Sequence, residues 1–279
     1  MLKIGLFDNL FAHTTFQNGY DSCCMLPTQS FSWERNIEII NSNLIDTIVF
    51  TDESLYIAQY YKNSNKKKIA WLLEPKVISF QTYEYVKNNE SNFDFIVSHD
   101  LEFINSLKNG KYAPFGGAWI KKNDWNINLN KRKNISIIAS DKKITEGHKL
   151  RHLSANLLLK EDRYGKGYLQ IEDKITALKD YKFSIVIENG RIEGYFSEKL
   201  IDSLITCTIP LYWGDPNINN FFDMNGIIEF NDIEELKNII NNLNFEEYYE
   251  KSKEAIIFNA KKAKMFVSTD ENFYSSIIK

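Results

Sequence analysis

Residues 181–216, YKFSIVIENGRIEGYFSEKLIDSLITCTIPLYWGDP, constrain the fold more than any other part of the chain. Two predominantly apolar runs, 183–187 and 209–213, flank a helical segment at 198–205, and Gly214-Asp215-Pro216 ends the unit. Short apolar runs of this kind read as strands buried on both faces, and a strand–helix–strand order calls for a parallel sheet. The turn before the helix gathers Asn189, Tyr195, Ser197, Glu198 and Lys199. Open α/β sheets bind ligands outside the carboxyl ends of their strands. The stretch therefore reads as a binding site, with a nucleotide-linked group as the expected ligand.

The remaining sequence keeps the same rhythm. Strands are expected at 3–7, 47–50, 68–73 and 93–97, then at 134–139, with a short one at 227–230. Between them the periodicity predicts a helix capped by Ser32 with Trp33, Ile37 and Ile40 on one face. It also predicts a helix carrying Leu55, Ala58 and Tyr61, and further helices at 79–88, 101–107, 147–160, 173–178 and 234–242. The 147–160 helix is expected to bury Leu150, Leu153, Leu157 and Leu158, and the tail from 245 is mostly helical. Several strands end in polar groups, namely Asp8-Asn9, Thr51-Asp52, Glu74-Pro75 and Ser98-His99-Asp100. The long polar loop at 10–31 is expected to be functional. The polar, aperiodic stretch 124–133 marks a boundary between an N-terminal domain, 1–128, and a C-terminal domain, 129–279. The expected fold class is α/β, with two Rossmann-like domains facing across a cleft.

Composition excludes several alternatives. The net charge of −3 argues against a nucleic-acid binder, and the basic run Lys66-Lys67-Lys68 reads as a solvated strand entry. Cys23, Cys24 and Cys207 lack the spacing of a disulfide framework and are expected to be reduced thiols in a cytoplasmic protein. The N-terminus shows no apolar signal-peptide region, and no run approaches the roughly 20 apolar residues of a membrane span, so no transmembrane segment is expected.

Ser197 is placed to cap a helix that Glu198 and Lys199 open. Helix N-termini carry partial positive charge and bind phosphate readily, Lys199 adds a full charge, and Glu198 suits ribose or sugar hydroxyls. A capped helix with incidental polar residues is the alternative reading of the same turn.

The segments YKFSIVIEN, GRIEG, YFSEK, LIDSLITC and TIPLYWG follow, without a gap, the pattern YKF-x-[LI]-x-[FI]-EN, spacer, Y-[VF]-[TS]-EK, apolar helix, T-[VI]-P-[VI]-Y-[YW]-G. In this the chain resembles the α-1,3/1,4-fucosyltransferases of glycosyltransferase family 10. The resemblance implies the glycosyltransferase B fold and an inverting transfer of a sugar, L-fucose above all, from a GDP-sugar donor to a glycan acceptor. It places Asn189, Tyr195, Glu198 and Lys199 at the donor, with Lys199 toward the diphosphate, and makes Arg151 the match for an arginine that meets the same group. It implies a glutamate base at a strand end of the first domain. Glu74 in AWLLEPKVI is the best-placed carboxylate there, with Asp100 beside His99 as the alternative. Asp8, Asn9 and Asn18-Gly19-Tyr20 are candidates for the acceptor side, and residues 212–216 are expected to pack beneath the donor. Gly116-Gly117 reads either as a close approach to a ligand or as a turn. Cys207 and Arg191 depart from the family's pattern. No Asp-x-Asp pair and no zinc-spaced cluster occurs, so neither metal nor cofactor is expected. Transfer from a different nucleotide sugar and a non-catalytic carbohydrate-binding protein on the same fold are the competing readings.

Overall fold

The computed structural model describes residues 2–8 and 28–278 and divides the chain into two compact units. Unit 1 takes Met1–Gly117, Glu193–Tyr195 and Ser268–Lys279; unit 2 takes Ala118–Ile192 and Phe196–Val267. Each has its own parallel sheet, as the alternation of apolar runs and amphipathic segments requires.

Among the described residues, unit 1 holds a six-stranded sheet built from β1 (Leu2–Phe7), β2 (Phe31–Glu34), β3 (Thr47–Thr51), β4 (Lys67–Leu72), β5 (Phe95–Ser98) and β6 (Gly110–Tyr112), in the order β2-β1-β3-β4-β5-β6. Successive strand residues point to opposite faces. Phe50, Ala70 and Ile96 pack on one side with Tyr83 and Val86, while Val49, Trp71 and Val97 pack on the other. Helices α1 (Ile37–Asn41), α2 (Phe80–Asn88) and α3 (Leu101–Asn105), with a 3-10 helix at Asp52–Tyr61, connect the strands. The helix expected from Ser32 is not formed. Phe31 and Trp33, two residues apart, are both buried, so the segment pairs with β1 as a strand, and α1 begins only after Asn36 caps it. Here a fit to helical spacing yields to burial on one sheet face. Strand β6 was not anticipated, because it is a three-residue edge of half-buried GKY. Lys66, read as part of a solvated strand entry, instead donates to the carbonyls of Ser42 and Ile45.

Unit 2 holds a five-stranded sheet of β7 (Lys133–Ile138), β8 (Arg163–Tyr164), β9 (Tyr181–Ile187), β10 (Ile209–Trp213) and β11 (Ile228–Glu229), in the order β11-β10-β9-β7-β8. Every residue of central β9 is buried, as a strand covered on both faces must be. Helices α4 (Glu146–Ala155), α5 (Glu198–Ile205), α6 (Ile233–Asn242), α7 (Phe245–Lys251) and α8 (Lys253–Ala263) complete it. Helix α5 buries Leu200, Ile201, Leu204 and Ile205 at helical spacing, and the chain leaves it through Cys207 at φ 58°. The N–H of Cys207 donates to Leu204 O and that of Thr208 to Ser203 O, a left-handed helix stop in which a small side chain is favoured. Helix α4 differs from expectation. It ends at Ala155, Leu153 is 52% exposed, and the buried positions are Gly147, His148, Arg151, Ser154 and Ala155. Leu150 and Leu157 pack only partly against the core. The polar stretch 124–133 hides Lys131, whose ammonium donates to Leu178 O (3.0 Å), Thr206 O (2.6 Å) and Thr208 Oγ1 (3.2 Å).

The final helix, α9 (Thr269–Ile278), belongs to unit 1. Phe273 is fully buried with its ring 4.3 Å from Trp71 and 5.9 Å from Trp33, and Tyr274 lies 5.0 Å from Phe31. Its Glu271 accepts from Gln29 N (3.0 Å), Ser30 Oγ (2.7 Å) and the Thr28 hydroxyl.

The first turn of α4 lies against the end of β9. A Cβ built on Gly147 would fall 1.8 Å from the carbonyl oxygen of Glu188. Neither partner is a flexible side chain, so only glycine lets the two backbones meet. We expect Gly147→Ala to destabilise the protein by about 2 kcal/mol or more, because overpacking of about 1–3 kcal/mol exceeds the small propensity gain near a helix start. Urea unfolding monitored by fluorescence measures it.

Candidate functional site

The turn from β9 to α5 is built around Glu188, whose side chain is completely buried. Its backbone N–H donates to Trp213 O (2.8 Å), which ties the end of β9 to β10. Its carboxylate accepts from Ser197 N (2.9 Å) and Ser197 Oγ (2.6 Å) and lies 3.6 Å from Lys199 Nζ. Ser197 in turn caps α5 by accepting from Lys199 N (3.4 Å). The carboxylate therefore fixes where the helix starts and which way its free N–H groups point. Gly214 continues this tight packing, since a Cβ there would meet the Tyr212 hydroxyl at 2.2 Å. Residues 212–215 are buried beneath the turn.

A pocket of about 190 Å³ opens at this end of the sheet, lined among others by Arg151, Lys174, Glu198, Lys199 and Asp202. That is smaller than the roughly 300–1,000 Å³ of pockets for drug-sized ligands, so it suits one part of a larger ligand. Arg151 reaches it from α4. Its Nε donates to Ile187 O (2.8 Å) and its Nη2 to Asn189 Oδ1 (2.9 Å), so a guanidinium is held at the strand end by the residues that follow it. Burial first, then the neighbouring Arg151 and lysines, push the His148 imidazole down to about 4. It is neutral at physiological pH, and its Nδ1 accepts from Thr145 N (3.1 Å) in the box that caps α4. Lys199 Nζ is 3.3 Å from Glu198 Oε1 and 3.0 Å from Ser197 Oγ. Lys174 Nζ is 3.5 Å from the same Glu198 oxygen and 3.3 Å from Asp202 Oδ2. Burial would raise Glu198, but Lys199 and Lys174 more than reverse it and bring the carboxyl down to about 2. Two ammonium groups, a guanidinium and a helix N-terminus at one strand end can receive a diphosphate, and the carboxylates beside them can accept from hydroxyls.

Of the residues singled out from sequence, Arg151, Glu198 and Lys199 line this pocket, and Asn189 is bonded to Arg151. Tyr195 belongs to unit 1, where its ring lies 4.4 Å from that of His99. In the same unit Leu101 N donates to Glu193 O (3.2 Å) and the Tyr112 hydroxyl to Gly194 O (2.9 Å). Arg191 points away to Asn231 Oδ1 (2.6 Å) on an exposed face.

Glu74 also belongs to unit 1, just beyond β4. Its N–H (3.3 Å) and that of Leu73 (3.0 Å) donate to Asp52 Oδ1, and its carbonyl accepts from the Tyr83 hydroxyl (3.2 Å). Asp52 holds a left-handed backbone, φ 38°, and its Oδ2 is buried without a hydrogen-bond partner. Burial, reinforced by Glu74 and Glu53, pushes its carboxyl up to about 7. Asp100 caps α3 by accepting from Phe103 N (2.9 Å). His99 is fully buried, and burial pushes its imidazole down to about 3. Asp8 is paired with Arg35 at 2.8 Å. Gly116 and Gly117 adopt φ of 59° and 88°, which glycine takes without strain. Asn9, Asn18, Gly19, Tyr20, Cys23, Cys24 and most of the loop 10–31 lie outside the described residues. Cys207 is a free, buried thiol that burial pushes up.

Sequence reading missed Glu188, Lys174 and Asp202. Glu188 carried a signal, since it is a charged residue directly after the apolar end of a buried strand, Ile185–Ile187. Asp202 sits one turn after Glu198 on α5, the spacing that puts two side chains on one helix face. Lys174 carried none, because its place in the pocket depends on tertiary folding. Among the described residues, no group of three or more His, Cys, Asp or Glu side chains is arranged to hold a metal ion, and no helix is long and apolar enough to cross a membrane.

Residues 129–257 match the model of the C-terminal domain of glycosyltransferase family 10 (fucosyltransferase). The chain is 32% identical over 79 residues to an alpha-(1,3)-fucosyltransferase of Helicobacter pylori, which is 28% of this chain and 16% of that protein. It is 41% identical over 66 residues to a putative fucosyltransferase-like protein of Arabidopsis thaliana, 23% of this chain and 13% of that one. These alignments thus span a small part of the relatives' own lengths. Among solved structures, an alpha1,3-fucosyltransferase with GDP-fucose superimposes with a TM-score of 0.55 at 18% identity, over 90% of this chain and 81% of the other. Anabaena HepE in complex with UDP and glucose gives 0.57 at 11% identity, over 82% and 76%. At such identities these likenesses establish the fold, the α/β glycosyltransferase B fold.

Asp52 ties unit 1's stability to pH. Its folded value, about 7, lies above the ordinary 3.8, so the native state binds the proton more tightly. The resulting stabilisation is complete below about pH 4 and is lost as pH rises through about 7. Between these limits stability falls by up to roughly 1.4 kcal/mol per pH unit. Asp52→Asn, which tolerates the left-handed backbone, removes that slope. Chemical denaturation of the two proteins from pH 4 to pH 8 measures the difference, and parallel curves would contradict it.

Proposed function

We propose that this chain, whose residues 129–257 belong to glycosyltransferase family 10, moves a sugar from a nucleotide-diphosphate donor to a hydroxyl of a glycan, with inversion at the anomeric carbon. GDP-fucose is the donor we favour. Relatives named as fucosyltransferases and a similar structure holding GDP-fucose support that choice. The observation that carries the reading is the pocket in which Arg151, Lys174, Lys199 and the start of α5 converge at the carboxyl end of β9.

In the transfer, the acceptor oxygen bonds to the anomeric carbon as the bond from that carbon to the diphosphate breaks. Negative charge builds on the departing oxygen. Lys199, Arg151 and the N–H groups opening α5 are the groups that stabilise it, and their orientation is set before the ligand arrives by Ser197, Glu188 and Asn189. Glu198 accepts from donor hydroxyls. The acceptor's proton goes to Glu74, whose backbone is held by Asp52 and Tyr83.

A thermal-shift panel of GDP, GDP-fucose, UDP and UDP-glucose tests the donor. The guanine nucleotides are expected to raise Tm most, since a bound ligand stabilises the fold by mass action. Arg151→Ala and Lys199→Ala are each expected to weaken GDP binding by roughly tenfold or more, in line with the loss of a charge-assisted contact. A protein whose Tm none of the four moves would refute the reading. Glu74→Gln is expected to keep GDP-fucose affinity and to lower transfer about 10²–10⁴-fold. Full turnover by that variant, followed by mass spectrometry of the glycan product, would remove Glu74 as the base.

A further inference from the structure

Lys174 lies outside the 181–216 segment, at the start of a short 3-10 helix, Lys174–Ala177. It nonetheless sits in the pocket wall. Its ammonium meets Glu198 Oε1 at 3.5 Å, the same oxygen that Lys199 meets at 3.3 Å. It is further anchored to Asp202 Oδ2 at 3.3 Å and lies 5.5 Å from the centre of the Trp119 ring. Asp202 is itself fixed, because its Oδ1 accepts from Trp119 N (2.8 Å) and Ile120 N (3.1 Å) and its side chain is 2% exposed.

This wiring bears on how Lys199 becomes available. Its charge is divided among Glu198, Glu188 (3.6 Å) and the Ser197 hydroxyl. An ammonium held by two carboxylates must loosen one of them to approach a diphosphate. Glu188 is bound to Ser197 and cannot follow, whereas Glu198 already has a second cation.

We propose that Lys174 is a positioning residue of the donor site: it holds Glu198 as Lys199 transfers its charge from that carboxylate to the donor's diphosphate. Asp202 keeps Lys174 in place throughout. Glu198 then remains ionised and fixed, able to accept from donor hydroxyls rather than following Lys199 toward the phosphates. Without Lys174, Glu198 keeps Lys199 as its one strong counter-ion, because a partly buried carboxylate left unpaired is costly. The proposal rests on the nucleotide-diphosphate reading given above and adds to it a residue that acts through two others.

Calorimetric titration of the full chain with GDP tests it. Lys174→Met is expected to raise the GDP Kd about tenfold, equivalent to about 1.4 kcal/mol. Made in a Glu198→Gln background, the same substitution is expected to change the Kd by less than about twofold, because the carboxylate that would capture Lys199 is gone. Equal losses in the two backgrounds would mean that Lys174 acts independently of Glu198, by meeting the phosphates itself or by supporting the fold, and would overturn the proposal. Unchanged GDP affinity in Lys174→Met would overturn it too, while leaving the donor reading intact. A wild-type protein that binds neither GDP nor UDP takes down both. Lys174→Gln, which keeps hydrogen bonding without charge, gives the same comparison if Lys174→Met does not fold.

Discussion

The second unit depends on one buried carboxylate. Glu188 closes the central strand through its N–H, receives α4 against its carbonyl oxygen, and holds Ser197, the cap of α5, through both carboxylate oxygens. A fully buried carboxylate is costly unless its oxygens are satisfied. Here the satisfaction comes from the helix start that the site needs, so the energetics of burial and the geometry of the pocket cannot be separated. Shifting the end of β9 by a fraction of an ångström would move Ser197, the α5 N–H groups and Lys199 together.

Around this anchor the pocket is close to electrically balanced. Its wall brings the cations Arg151, Lys174 and Lys199 together with the carboxylates Glu198 and Asp202, and Glu188 lies buried 3.6 Å from Lys199. Three cations brought together without carboxylates would repel one another and draw water. The carboxylates keep the group compact but leave both lysines partly occupied, and Arg151 is engaged by Ile187 O and Asn189 Oδ1. A ligand carrying two phosphates would have to enter by exchange of partners rather than by filling vacant charge. The low exposure of Asp202 and Glu188 makes them the fixed members of this arrangement, and Lys199, at 26% side-chain exposure, the adjustable one. Preorganised polarity of this kind spares reorganisation when charge develops in a reaction.

Much of this was legible from the chain alone. Strands β9 and β10 and helix α5 coincide with the segments read from apolar patterning, because burial on both faces of a strand leaves a predominantly apolar run as its signature. The signature fails where tertiary context outweighs spacing. Trp33, Ile37 and Ile40 fit a helix, yet Trp33 is taken into a strand by the aromatic cluster of α9. The leucines of α4 suggested its buried face, whereas the helix turns Gly147, His148 and Arg151 inward, since an arginine whose donors meet Ile187 O and Asn189 Oδ1 is better satisfied inside than a leucine is harmed outside. Lys131 shows the same limit, because a lysine in a polar stretch gave no sign of being buried among three oxygen acceptors. The motif named Glu198 and Lys199 and the family resemblance added Arg151, but Lys174 reaches them only through folding.

The place of α9 has a consequence for how the chain is made. Trp33 and Trp71 are covered by Phe273, and residues 28–30 are held by Glu271, although unit 2 is almost entirely encoded between these partners. A ribosome therefore completes the second unit before it releases the helix that finishes the first. Until then one face of the earlier sheet stands bare, with two indoles open to solvent and to any other nascent chain nearby. The half synthesised first is the half that matures last.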